Sequence, residues 1–170
     1  MINKICQVID GEYVCDIDIS VEEWKALLMN EKVFDSKSIE ALKKWYIEPN
    51  HSCTCFDIGK KYEQHSMSAN GVINGLGGRV QKELGRFEVK GIGNIAPGTK
   101  FITVMKSKET GEKPKRYLWT IRDELVQAIK ELDFFGSKEI TTNEYYSDDE
   151  LINAMEANNT FDVAQTFEYT

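Results

Sequence analysis

The stretch TCFDIGKKYEQHSMSANGVINGLGGRVQKEL, residues Thr54–Leu84, decides the fold because it predicts two helices separated by a short polar break. The Thr54 hydroxyl can cap the first helix, and Asp57 follows in the first turn, where a carboxylate is favoured. Ser66 or Ser68 can cap the second helix. Two helices joined in this way predict a helix-turn-helix, which places one helix against DNA.

Apolar spacing gives each of these helices a face toward the core. In the first helix, the apolar contacts come from Phe56, Ile58 and Tyr62. In the second, they recur at steps of three and four residues, at Ile73, Leu76, Val80 and Leu84. The face opposite is polar and poor in side chains, and it comprises Met67, Ser68, Gly71, Asn74, Gly75, Gly78, Arg79 and Lys82.

The glycines on this second face call for an explanation, because each glycine inside a helix costs about 1 kcal/mol relative to alanine. One interpretation is that the helix lies closely on a DNA groove or a phosphate, with polar side chains contacting the nucleic acid. The contact residues expected from this helix are Ser66, Ser68, Asn70, Asn74, Arg79 and Lys82. The other interpretation is that the glycines pack against protein, or that the helix breaks near Gly77 and Gly78.

The formal net charge of the 170-residue chain is −7, but the charges are unevenly distributed. Between Lys60 and Arg116, twelve Lys and Arg residues stand against five Asp and Glu residues, and elsewhere nine stand against twenty-three. This asymmetry favours a basic binding surface with acidic flanks, although a charged surface needed for solubility would also account for it.

The N-terminal residues Ile2–Ile19 predict a β-hairpin, since Asp10-Gly11 joins two strand-like runs and suits a type I′ turn. This register pairs Ile9 with Glu12 and places Cys6 opposite Cys15. Two helices should follow. Ser20 and Glu23 form a capping box that opens a helix to about Met29, and a second helix runs from about Ser36 to Tyr46, capped by Asp35 or Ser36.

After the two-helix unit, Gly85 is a C-cap and Phe87–Gly98 predicts a loop with a short strand. The segment from Lys100 to Ile121 predicts two strands, with a packing face formed by Phe101, Thr103, Tyr117, Trp119 and Ile121. Basic residues gather at the tip of this hairpin, at Lys106, Lys108, Lys113, Lys115 and Arg116. Thr120 and Asp123 open a final helix, in which Leu125, Val126, Ile129 and Leu132 are expected to face inward.

A basic hairpin shortly after a two-helix reader is the layout of a winged helix, in which the hairpin tip lies along phosphates. We therefore expect an α+β, winged helix-turn-helix-like fold with an N-terminal β-hairpin. The expected organisation is a hairpin over residues 1–19, a DNA-binding domain over 20–135, and an acidic linker or tail over 136–170.

The chemistry of an enzyme is missing from the sequence. We find no nucleophile elbow, no phosphate-binding glycine loop with lysine and no paired-histidine metal motif, so we expect neither catalysis nor a cofactor. Four thiolates from Cys6, Cys15, Cys53 and Cys55 could bind zinc, but free buried cysteines are commoner. The sequence has no long apolar run and no signal peptide, so we expect a cytoplasmic protein without a membrane span.

Four stretches together resemble a bacterial N-terminal module that precedes HNH nuclease or McrB-like AAA⁺ domains in modification-dependent, Mcr-type restriction proteins. They are WKALLMNEKVFD (Trp24–Asp35), Thr54-Cys55, LGGRV (Leu76–Val80) and WTIRDELVQAI (Trp119–Ile129). The resemblance spans roughly Ser20 to Leu132. It implies recognition of double-stranded DNA, methylated or hydroxymethylated at cytosine, with a nuclease or ATPase domain downstream of Thr170.

A modified base can be read in two ways. Within the duplex, a 5-methyl group offers an apolar contact in the major groove. Alternatively, the base is flipped into an aromatic pocket, for which the candidates are Tyr46, Tyr62, Phe87 and Tyr117, although aromatic residues at such spacing more often form core. A different class of function also remains open, in which the winged-helix surface and the acidic tail bind another protein.

Overall fold

The structure, a computed structural model, describes residues 1–91, 100–111, 113 and 116–136, apart from the side chain of Ser66. The described residues form an α+β fold with six α-helices and two three-stranded sheets. Residues Met1–Leu132 form one compact unit, and the residues from Asp133 onward belong to a second unit. The acidic tail expected over 136–170 lies outside the described residues, except for Gly136.

The first sheet has the order β2-β1-β4 and contains the predicted hairpin. Strand β1 (Ile2–Ile9) pairs antiparallel with β2 (Glu12–Val14), and Ile9 lies opposite Glu12 as predicted. Asp10 and Gly11 have φ angles of 51° and 79°, which confirms the turn that needs positive φ at both central residues. The predicted short strand is β4 (Phe87–Gly91), and it pairs in parallel with β1.

Two helices follow at the predicted positions. Helix α1 (Val21–Leu28) begins with the Ser20–Glu23 capping box, in which both reciprocal hydrogen bonds are present. Helix α2 (Ser36–Tyr46) is capped by Asp35, whose carboxylate accepts from the Ser38 N–H at 2.9 Å. Both helices bury a tryptophan completely, so local capping signals and core packing agree here.

The two-helix unit consists of α3 (Cys55–Lys61) and α4 (Ser66–Leu84). Thr54 caps α3 as predicted, because its hydroxyl accepts from the Asp57 N–H at 2.9 Å. The prediction of a serine cap for α4 was wrong: the N-cap is His65, whose Nδ1 accepts from the Met67 N–H. Helix α4 is continuous over 19 residues, so it is not broken near its glycine pair.

The second sheet has the order β3-β6-β5, with β3 (Ser52–Thr54) and β5 (Met105–Glu109) on either side of β6 (Tyr117–Ile121). The strand predicted from Lys100 begins later than expected, because Phe101–Val104 forms one buried helical turn, α5. The amide oxygen of Asn74 accepts from the Phe101 N–H at 2.8 Å and holds this turn in place. A tertiary contact thus overrides the strand preference of the local sequence.

The two sheets meet where β2 lies beside β5. The Glu109 N–H donates to the Gly11 carbonyl at 2.8 Å, and the Tyr13 N–H donates to the Ser107 hydroxyl at 3.1 Å. Helix α6 (Asp123–Leu132) packs against α1 and buries Leu125 and Ile129 as predicted, whereas Val126 and Leu132 are half-buried. None of the helices in the described part of the chain combines the length and the apolar character that a membrane span requires.

Candidate nucleic-acid interface

A Schellman-type turn ends α3 and sets the path into α4. The Gln64 N–H donates to the Gly59 carbonyl at 2.7 Å. The Glu63 N–H donates to the Lys60 carbonyl at the longer distance of 3.4 Å, which completes the motif. Glu63 has a φ of 55°, a left-handed conformation in which glycine is preferred. The connection between the two helices is therefore tightly defined even though its key residue is not glycine.

Five of the eight residues that the sequence predicted on the outer face of α4 are exposed. No described atom outside the helix lies within 4 Å of a Cβ placed on Gly71, and the same test on Gly75 meets only the end of the Arg79 side chain. Met67 and Ser68 are exposed at the N-terminal end of this face, and Lys82 is exposed near the other end. These five residues — Met67, Ser68, Gly71, Gly75 and Lys82 — are called the α4 outer face below.

The other two glycines of α4 have a packing role. A Cβ on Gly77 would overlap the Lys100 carbonyl oxygen and lie 2.7 Å from the carbonyl carbon, so Gly77 allows the backbone before α5 to approach. Gly78 was assigned to the outer face, but it is half-buried and lies beside the Lys100 side chain. Of the α4 glycines, Gly77 and Gly78 therefore follow the interpretation in which glycines pack against protein.

Asn74 was predicted on the outer face, and the structure corrects this. Its side chain is half-buried between α4 and α5, where it accepts from Phe101 and donates to the Asn70 side-chain oxygen at 2.5 Å. Both asparagines are thus engaged in intramolecular hydrogen bonds. Asn74 positions α5, and Asn70 in turn holds the Asn74 side chain.

Arg79 is also directed inward, contrary to the prediction. Its Nε donates to the Val33 carbonyl at 2.9 Å, and its Nη2 donates to the Ser38 hydroxyl at 2.6 Å. The Asp35 carboxylate lies 3.7 Å away and adds an ion pair. Arg79 therefore ties α4 to the N-terminus of α2. A helical wheel cannot foresee this, because a long side chain can reach across to a neighbouring helix.

Two shallow grooves border the α4 outer face. Ser68 lines one of about 240 Å³ between α2 and α4, together with Lys37 and Lys44. Lys82 lines another of about 210 Å³ with Gly78 and Lys100. Lysine side chains are thus present on both sides of α4. For Ser66 the structure gives only the backbone position, the first residue of the helix.

The basic residues of the second sheet lie on and after β5. Lys106 and Lys108 alternate with buried Met105 and Ser107, so both lysines lie on the outer side of the sheet. Lys106 is 3.5 Å from the exposed Asp123 carboxylate, a pair that is weak in solvent. Lys113 is exposed in the connecting loop, and Lys115 lies outside the described residues.

Arg116 begins the return from this loop and reaches helix α3. Its guanidinium carbon lies 4.0 Å from the centroid of the Phe56 ring. Phe56 was predicted to face the core with Ile58, but it is 43% exposed. Lys60 follows Phe56 by four residues on the same side of α3 and is exposed. From the sequence, Phe56 was placed in the core and Lys60 was not named as a contact residue. The i, i+4 spacing of these two residues, on the side of α3 away from Ile58, was the signal that indicated a shared surface.

The cysteines do not form the zinc site that was considered. All four are free, and no three His, Cys, Asp or Glu side chains of the described residues are grouped to hold a metal ion. Burial raises the pKa of the Cys6 and Cys53 thiols to about 11 and that of Cys55 to about 12. The thiols therefore stay protonated at neutral pH, which fits cysteines that serve as packing residues.

The four aromatic candidates for a base pocket each pack against a different neighbour. Tyr46 stacks on His51, Lys44 lies over the Tyr62 ring, Phe87 is almost fully buried, and Tyr117 packs on Tyr13. Burial raises the pKa of the Tyr13 hydroxyl to about 12. Phe87 is therefore a core residue, whereas Tyr46, Tyr62 and Tyr117 are half-buried.

No family model matches the sequence, and neither the curated proteins nor the solved structures that were compared with it contain a match.

Proposed function

We propose that this chain is a DNA-binding module with no catalytic centre of its own. In this proposal the α4 outer face lies in a groove of double-stranded DNA, and the loop between β5 and β6 lies along the phosphates. The basic residues that would contact phosphates are Lys82, Lys106, Lys108, Lys113, Lys115 and Arg116.

The order of elements supports a winged-helix arrangement within the α+β fold. Helix α2 is followed by β3, α3, α4, β5 and β6, and the three strands pair in the order β3-β6-β5. A helix, a strand, two helices and a two-stranded wing, with the first strand beside the last, are the parts of a winged helix. This chain differs by inserting β4 and α5 between α4 and the wing.

The observation that carries the proposal is the openness of the α4 outer face. Gly71 and Gly75 weaken the helix, and among the described residues Gly71 has no neighbour at its Cβ position while Gly75 has only the end of the Arg79 side chain. A helix of 19 residues with a buried apolar side and a flat opposite side can approach a surface closely. The two grooves that border this face are lined by four lysines against two carboxylates, Glu40 and Glu88, and this balance favours a polyanionic surface.

The resemblance to modification-dependent restriction proteins extends the proposal to modified cytosine. Met67 is 59% exposed at the N-terminal end of α4, where a helix in the major groove contacts base edges. Its thioether could provide the apolar contact that a 5-methyl group requires. A nuclease or ATPase domain, in the same chain or in a partner, would then carry out cleavage.

A protein partner is the second candidate, and exposed apolar side chains favour it. Met67 and Phe56 both lie on the two-helix unit with large exposed fractions. An apolar helix surface of this kind can receive a helix of another protein. A protein partner would bind the same surface of the two-helix unit that is proposed to bind DNA. The two functions therefore differ in the ligand and not in the site.

The experiment that separates these functions is an electrophoretic mobility shift with three matched duplexes, unmodified, 5-methylated and 5-hydroxymethylated. The DNA-binding proposal expects a shift that weakens as salt rises, with a preference for one modification state. Lys113→Ala should lower the salt slope by about one, as expected for one lost phosphate contact. No shift with any duplex at low salt contradicts the proposal and leaves the protein partner.

A further inference from the structure

The guanidinium of Arg116 lies over an exposed aromatic ring on another element of the fold. It stacks on Phe56 of α3 at 4.0 Å, while Arg116 itself lies at the start of the strand segment that forms β6. The Phe56 side chain is 43% exposed, so part of the ring remains at the surface. There its contact with Arg116 also positions the guanidinium.

Two contacts fix Arg116 at different points. Its carbonyl accepts from the Thr110 N–H at 3.0 Å, which closes the loop at the base of the hairpin. Its side chain rests on the Phe56 ring, and a guanidinium stacked in this way keeps its N–H groups in the plane free to donate outward. The cation is thus held ready before a ligand arrives, which reduces the entropy lost on binding.

A second cation lies along the same side of α3. Lys60 is four residues after Phe56, about one helical turn further along, and it is exposed. Its neighbour Lys61 is instead paired with the Glu48 carboxylate at 2.8 Å. Arg116 over the ring and Lys60 one turn further along α3 bring two positive charges to this helix, which suits a phosphodiester better than a neutral base edge.

We infer that Arg116, Phe56 and Lys60 form a preorganised phosphate-binding site on α3, separate from the α4 outer face, and that it binds the DNA backbone. The inference rests on the proposed DNA-binding function and adds the ring as a positioning residue. The ring orients the guanidinium, and the two cations contact the phosphodiester. In this inference α3 also contacts the DNA backbone, in addition to α4 and the loop between β5 and β6.

A double-mutant cycle on the full chain tests this site with an unmodified duplex as the probe. Arg116→Ala should weaken binding and lower the salt slope by about one, because one cation is lost. Phe56→Ala should weaken binding about two- to fivefold while the slope stays closer to that of the unsubstituted chain, because the charge remains. Phe56→Tyr should retain affinity. Ile5→Ala, with a similar exposed fraction of 41%, is the control.

The decisive result is non-additivity. In the Arg116→Ala background, Phe56→Ala should have little further effect, since the ring has no guanidinium left to orient. Equal effects of Phe56→Ala in both backgrounds, or no effect in either, overturn the site while DNA binding by the unsubstituted chain still stands. Absence of DNA binding by the unsubstituted chain overturns the proposed function and the site together. Circular dichroism of each variant shows that folding is unchanged.

Discussion

Replacing Gly71 by alanine should stabilise the protein and weaken its binding to DNA. The stability change follows from the helix alone, because alanine at an interior position is favoured over glycine by about 1 kcal/mol. No described atom outside the helix lies within 4 Å of the new methyl group, so no clash offsets this gain. For a unit of this size we expect the Tm to rise by about 4 °C.

The effect on binding has the opposite sign because the methyl group would stand between α4 and the DNA. Where two surfaces pack closely, an extra methyl group costs about 1–3 kcal/mol, so affinity should fall by about fivefold to a hundredfold. Gly77→Ala is the matched control on the same helix. Its methyl group would overlap the Lys100 carbonyl, so this variant should be destabilised by about 1–3 kcal/mol.

Thermal denaturation followed by circular dichroism measures stability, and fluorescence anisotropy with a labelled duplex measures affinity. A Gly71→Ala protein that is more stable and binds DNA as tightly as the unsubstituted chain refutes the assignment of the α4 outer face to the interface. A Gly71→Ala protein that loses stability refutes the openness of this face. Stability and DNA affinity are measured on one sample, so the openness of the α4 outer face and its role in DNA binding are tested separately.

Three further predictions concern residues that stabilise the fold. Glu63→Gly should raise the free energy of unfolding by about 1 kcal/mol in urea titrations, because glycine relieves the left-handed backbone. Arg79→Ala should lower it by about 1–3 kcal/mol through lost hydrogen bonds, with the preference among modified duplexes unchanged in anisotropy measurements. The hydrogen-bonded Arg86 guanidinium lowers the pKa of the Glu23 carboxyl, so its stabilisation is present above the unfolded pKa and is lost as pH falls through the folded one. Glu23→Gln should therefore be less stable by about 0.5–1 kcal/mol at pH 7, and this deficit should shrink as pH falls through the folded pKa of Glu23, as unfolding measured over a pH series would show.

Local signals account for most of the helices. The capping residues Ser20, Asp35 and Thr54 each begin a helix at the predicted position, since an N-cap acts on backbone groups two or three residues away. The Asp10-Gly11 turn likewise fixes the first hairpin and its register. Such features are predictable because their physical cause lies within a few residues of sequence.

Contacts between distant parts of the chain could not be predicted from the sequence. Nothing near Phe87 indicates that its strand pairs with β1, because the partner lies more than eighty residues away. The turn Phe101–Val104 has strand-like residues, and its helical form depends on Asn74 and on the space left by Gly77. In both cases the deciding group is supplied by a distant part of the chain, so local propensity gave the wrong or an incomplete answer.

In the candidate site, too, features set by local sequence were predictable and features set by distant contacts were not. The exposure of Gly71 and Gly75 follows from helical periodicity, which a single helix determines by itself. The inward turn of Arg79 and the stack of Arg116 on Phe56 depend on which element lies opposite, and periodicity holds no such information. Long polar side chains were therefore the least predictable part of the surface.

The hydrogen bond from Glu109 to Gly11 has a practical consequence for trimming the protein. Removing residues 1–19 to isolate the two-helix unit would strip β5 of this neighbour and uncover Tyr117 and Trp119, which now pack on Tyr13. A bare strand edge beside freshly exposed aromatic rings invites pairing between molecules. Fragments that begin at Ser20 should therefore precipitate on expression, whereas those that retain Met1 should stay in solution.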